Sequence, residues 1–269
     1  MEFDYDLLND RGLTAEYRRM RSEVSEPEPA PRRQNVSVPP NPAELIREYG
    51  QLVLPEQPRK NPRGNISYLN IIGQIEGHSV MPANNKTTKY EHVIPQLLAV
   101  AENPETDGLL IILNTVGGDV EAGLAIAELI SGIGKPSVSL VLGGGHSIGV
   151  PLAVAAQVSF IAPSATMTLH PLRMNGTVIG APQTYDYFDK MQERIIEFIV
   201  KNSGVKRDKL RALMLETERI ALDVGTVLIG QEAADAKIID RVGGLNEAME
   251  ALYGLIGKTQ KKPRQSKKK

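Results

Sequence analysis

From Ile66 onward, apolar runs of strand length alternate with runs of helical length: "ISYLNIIGQI", "EHVIPQLLAVAE", "GLLIILNT", "VEAGLAIAELISGI", "PSVSLVLG", "VPLAVAA", "VSFIAP" and "TMTLH". The strand segments are apolar at consecutive rather than alternate positions, which a strand tolerates when both of its faces are covered. The pattern predicts an α/β fold whose sheet is sandwiched between helices. The βα unit recurs in kind without a sequence period, which argues against a solenoid.

The flanks read differently. Nine of the 18 prolines fall between Pro27 and Pro62. A segment of that composition buries too little apolar surface to offset its ordering entropy, so residues 1–63 are expected to form a flexible acidic, proline-rich extension with a short helix at "PAELIREYGQL". Seven of the 31 cations lie in the last twelve residues, "KTQKKPRQSKKK", so residues 1–257 carry 24 cations against all 32 acids. Residues 258–269 are therefore expected to be a basic disordered tail. Such a tail suits nucleic acid, anionic lipid or an acidic partner, but the absence of interleaved aromatics makes nucleic acid a poor expectation. Between these flanks stands one domain, residues 64–257.

Composition narrows the chemistry. The chain has no Cys, which removes thiol nucleophiles and thiolate metal sites and fits a reducing compartment. Its four histidines, His78, His92, His146 and His170, form no HExxH-type pair, so no metal is expected. No basic-then-apolar leader and no apolar run of membrane-spanning length is visible, and a cytoplasmic location is expected.

Past His170, residues 183–204 place Phe188, Met191, Ile195, Phe198 and Ile199 on one helical stripe that ends at a glycine. The stripe suits either a core or an oligomer contact. Shorter helices are expected around "RDKLRALML" and "LNEAMEALYGLI".

Three junctions carry candidate chemistry. In "LIILNTVGGDVEAGLAIAEL" a strand stops at Asn114, two glycines follow, and a helix starts near Asp119. Backbone N–H groups at such a junction can face phosphate or an oxyanion, and the glycines can equally serve a tight turn. Neither a complete phosphate loop nor a full dinucleotide fingerprint is present. In "GGGHSIGVPLAVAA" Ser147 stands between a strand and a helix in a GxSxG pattern, open to two readings, nucleophile or helix cap. A serine hydroxyl needs a base, and side chains adjacent in sequence diverge at a turn. His170, closing a different strand, is thus the better partner and His146 a packing or surface residue. No aspartate lies between Ser147 and His170, so an acid would have to follow the histidine.

These segments resemble the caseinolytic Clp protease (ClpP) family. "LNTVGGDVEAGLAIAELI" is similar to its strand, glycine turn and helix, "GGGHSIGVPLAVAA" to its serine turn, "ATMTLHPL" to its histidine strand end, and "QEAADAKIIDRVGG" to its closing segment. The glycine, serine and histidine motifs and the closing segment occur in the family's order between about Ile66 and Leu255, and the long N-terminal extension resembles the translocation-enhancing branch. The resemblance implies a ClpP/crotonase-like repeated βα core with a long protruding handle helix, and an intracellular serine endopeptidase acting on peptides or small unfolded proteins. It implies Ser147 as nucleophile, His170 as base, Asp223 as the acid, and Gly117, Gly118 and the N–H of Ile148 as oxyanion donors. It further implies a homo-oligomer of heptameric rings, no cofactor, and extended substrate paired along "VIGAPQT". The family's unfoldase-gating loop is replaced by the proline-rich extension, which speaks against dependence on an ATP-driven unfoldase. A decayed, non-proteolytic assembly and a crotonase-type acyl-CoA enzyme are the rival expectations.

Overall fold

The computed structural model describes residues 61–173, 180–217 and 224–261, all within one compact unit, Pro42–Lys269. The proposed helix at residues 42–52, Asp223 and the last eight residues lie outside the described ones.

The strands of the main sheet are β1 (Ile66–Glu76), β2 (Thr87–Lys89), β3 (Gly108–Gly118), β4 (Ser137–Gly145), β5 (Val158–Ile161) and β8 (Arg241–Val242). They run in the order β2-β1-β3-β4-β5-β8, and every pairing along this path is parallel. Two more strands, β6 (Thr166–Leu169) and β7 (Thr226–Ile229), pair antiparallel, and β6 joins β4 through Gly144 and Thr166.

Helices cover both faces, as the continuous apolar strands require. Helices α1 (Tyr90–Glu102), α2 (Val120–Ser131) and α3 (Gly149–Val154) contribute Leu97, Ile126, Ile130 and Leu152 to one core, which β3 enters with Leu109, Ile111 and Leu113. The alternate β3 position Leu110 faces the other side. There it joins Val138, Leu140 and Phe160 beneath Ala248, Leu252 and Ile256 of the last helix, α7 (Leu245–Lys261). A fully buried Leu or Ile contributes roughly 1.5–3 kcal/mol, so these two clusters dominate stability.

The long helix α4 (Ala181–Asn202) divides in two. Its C-terminal half buries Ile195, Ile196, Phe198 and Ile199, while Tyr185 and Tyr187 are exposed and Phe188 and Met191 half-buried. Three of the five residues of the predicted stripe, Ile195, Phe198 and Ile199, are core, and Phe188 and Met191 are only half-buried. Helices α5 (Arg207–Met214) and α6 (Gln231–Asp235) complete the fold.

Several boundaries differ from the sequence expectation. β3 does not stop at Asn114 but continues to Gly118, because Thr115, Gly117 and Gly118 go on pairing with Gly73, Gln74 and Ile75 across a bulge. β4 likewise runs through the triple glycine to Gly145, which pairs with Thr115. Ala181–Thr184 form the first turn of α4 and are not extended, so that part of "VIGAPQT" does not present a strand edge. α7 continues through Lys258 to Lys261, inside the stretch expected to be tail. The short strands β2, β7 and β8 had no sequence signal, being two to four residues long and fixed by their neighbours.

Candidate active site

Strand ends gather at the carboxyl edge of the parallel sheet, where open α/β sheets hold their ligands. Strand β3 delivers the glycine pair. Thr115 Oγ1 donates to Gly73 O at 2.6 Å and accepts from Gly117 N–H at 3.1 Å, which folds the strand end over its own side chain. Gly117 and Gly118 take φ +89° and +150°, values that favour glycine. Asp119 then caps α2, its Oδ1 accepting from Ala122 N–H at 2.8 Å.

Strand β4 delivers the serine. Asn114 Oδ1 accepts from Gly144 N–H at 2.9 Å and steadies the glycine run, a contact across thirty residues that no local pattern signals. The turn is pinned on both sides: His146 N–H donates to Thr115 O at 3.1 Å and Ser147 N–H to Thr168 O at 2.9 Å. Ser147 adopts φ 56°, the left-handed region that a side chain rarely occupies. The N-cap of α3 is Ile148, and no side chain caps it, which removes helix capping as the reason for the serine.

His170 follows directly on β6. Its Nδ1–H donates to Pro171 O at 2.7 Å, since a carbonyl can only accept. That bond sets the tautomer and leaves Nε2 as the accepting nitrogen. Gly225, at φ +134°, packs so closely that an added Cβ would lie 2.2 Å from Leu169 O and 2.9 Å from His170 Cβ.

Ser147 and His170 border the same cavity of about 130 Å³, along with Gly118 and Ile148. The rest of its wall is largely aliphatic: Val120, Val150, Leu172, Ile195, Ile199 and Met214, with Arg173. The cavity thus brings together four of the six residues singled out from sequence. Gly117 touches Ser147 from behind, where an added Cβ would lie 2.6 Å from Ser147 Cβ. Asp223 is outside the described residues.

His146 takes no part in the cavity. Its Nδ1 is 2.8 Å from Thr168 Oγ1 and its Nε2 3.5 Å from Thr166 Oγ1. Burial holds its imidazole below the ordinary value. As pH falls, the unfolded chain therefore takes up this proton before the folded one. The histidine's contribution to stability is intact above about pH 6.5 and is lost as pH drops from there toward the folded value. We expect His146→Asn to flatten the decline in urea midpoint between pH 7.5 and 5.5. An unchanged slope would show that His146 does not set it.

With this geometry in place, comparison with known proteins is direct. Residues 64–246 match the family model for Clp protease. The chain belongs to the Clp protease family. It is 54% identical over 217 residues to the translocation-enhancing protein TepA of Halalkalibacterium halodurans, covering 81% of this chain and 83% of that protein. An ATP-dependent Clp protease proteolytic subunit of Streptococcus pneumoniae is 30% identical over 127 residues, 45% of this chain and 64% of that one. The solved structure of a ClpP1 mutant from Listeria monocytogenes aligns with TM-score 0.54 and 22% identity over 68% of this chain and 94% of the other, which shows the shared fold. The ClpP-like fold and the TepA-type resemblance read from sequence are both borne out. Among the described residues, no helix is long and apolar enough to cross a membrane.

Proposed function

We propose that the chain is a serine endopeptidase acting on peptides or small unfolded proteins in the cytoplasm, with a role linked to protein translocation as its TepA relative's name suggests. One observation carries the reading: a serine held at positive φ opens on the same small cavity as a histidine whose Nε2 is left to accept a proton. Ser147 Oγ attacks the scissile carbonyl carbon and its proton passes to His170 Nε2. Collapse of the tetrahedral species breaks the C–N bond, and His170 returns the proton to the leaving amine. Water then repeats the sequence on the acyl-enzyme. Gly118 and the Ile148 N–H serve the oxyanion. Gly117, whose N–H is already bonded to Thr115 Oγ1, would join them only if that bond broke. The aliphatic wall favours an apolar side chain next to the scissile bond. As in the family, the working form is a ring of copies of this chain, without a cofactor; unlike the ATP-dependent relative, it requires no unfoldase, because the proline-rich extension stands in place of the family's gating loop.

A fluorophosphonate probe together with peptides varied at the residue before the scissile bond tests the reading. Covalent labelling at Ser147 and preference for leucine-like over charged residues are expected. Intact protein without labelling or cleavage would favour a non-proteolytic assembly.

Asp223 is proposed as the third member. The Pro171 carbonyl already holds the tautomer that an acid would hold, so Asp223→Asn should cost well under the roughly 10⁴-fold seen where the acid alone sets it. Kinetics of Asp223→Asn beside Glu216→Gln check this assignment. Full activity in the first and none in the second would move the acid to Glu216.

A further inference from the structure

We propose that His146 is a positioning residue that locks the serine turn to the strand carrying His170. The inference rests on the peptidase reading above for its catalytic consequence, but not for its geometry. Thr168 meets the turn twice: its carbonyl accepts from Ser147 N–H at 2.9 Å, and its hydroxyl lies 2.8 Å from His146 Nδ1. Two residues further along the same chain stands His170. Ser147 and His170 are therefore held in register by one threonine, half of whose grip depends on the neighbouring histidine.

The 2.8 Å contact between His146 Nδ1 and Thr168 Oγ1 is a hydrogen bond with either group as donor, while Thr166 Oγ1 stands farther off, 3.5 Å from Nε2. The seat for the ring is built into the glycine run, since a Cβ on Gly144 would lie 2.5 Å from His146 Nε2. This gives the middle glycine of "GGG" a reason that a simple turn does not supply. A residue at positive φ persists only where its surroundings over-determine it, and a small misplacement of an attacking oxygen is costly. The His146–Thr168 bond supplies that constraint from outside the cavity lining.

The full chain carrying His146→Ala, His146→Asn, Thr168→Val, Thr168→Ser or His146→Ala with Thr168→Val decides the matter. Two readouts apply: hydrogen exchange of the Ser147 amide, and kcat and KM on a cleavable peptide. In His146→Ala the amide should exchange about tenfold faster and kcat fall about tenfold, one net hydrogen bond in each case, with KM little changed. Asn, whose amide can sit where Nδ1 does, should restore most of both, Thr168→Ser should match wild type, and the double variant should be no worse than either single. Unchanged exchange and kcat in His146→Ala, equal damage from Ala and Asn, or additive losses in the double variant would overturn the proposal. If the wild type proves uncleaving and unlabelled at Ser147, the peptidase reading fails, and amide exchange alone decides the lock.

Discussion

Ser147→Ala should lower kcat by about 10⁶-fold and abolish probe labelling, the size of loss that follows removal of an activated serine nucleophile. The fold should survive, because Ser147 contributes its backbone rather than its hydroxyl to the turn: N–H to Thr168 O at 2.9 Å and C=O from Val150 N–H at 3.0 Å. A companion variant sharpens the test. The left-handed conformation of Ser147 costs about 1–2 kcal/mol for an L-residue, while glycine adopts it freely at some cost in unfolded-state entropy. Ser147→Gly should therefore be as inactive as the alanine variant yet no less stable, with Tm unchanged or raised by about 1–2 °C. Cleavage within about tenfold of wild type in either variant would remove Ser147 from the chemistry, and a Tm several degrees lower in Ser147→Gly would contradict the strained turn.

The second large effect is expected at Gly117. A Cβ there would stand 2.6 Å from Ser147 Cβ, 2.9 Å from His146 O and 3.3 Å from Ser147 Oγ, at a φ of +89°. Two of these neighbours belong to the turn backbone and its first side-chain atom, which cannot swing aside, so the serine itself must move. Gly117→Ala should cost about 3 kcal/mol or more in stability and over 10²-fold in kcat. Gly134→Ala provides the control: its φ is +71°, but nothing lies within 4 Å of the added Cβ. That variant should lose only the conformational part, about 1 kcal/mol, and keep full activity. Chemical denaturation and peptide kinetics on both variants measure the difference. Equal losses would mean that φ strain, not contact with Ser147, explains the glycine.

The glycine runs around the site show where local reading fails. "NTVGG" and "LVLGGG" carry the composition of turns, and a strand was expected to end at Asn114. Instead Thr115 pairs with Gly73 on one side and Gly145 on the other, and long-range pairing prolongs both strands to the site. That Ser147 and His170 stand near strand ends was legible, because each follows an apolar run closed by a break. The role of His146 was not, since its partners Thr166 and Thr168 lie some twenty residues away on a strand whose ladder pairing with β4 is at Gly144.

The order of residues by itself determined the covered sheet, the helices that flank it and the family, because apolar periodicity and motif spacing are properties of a one-dimensional string. Tertiary structure alone decided that the serine and the histidine border one cavity, that Pro171 fixes the imidazole tautomer, and that His146 turns away from the cavity toward Thr168. The first and last of these join strand ends brought together by pairing, and no local pattern encodes the distance between strand ends; the His170–Pro171 bond joins neighbours, and the fold supplies only the backbone conformation that closes it.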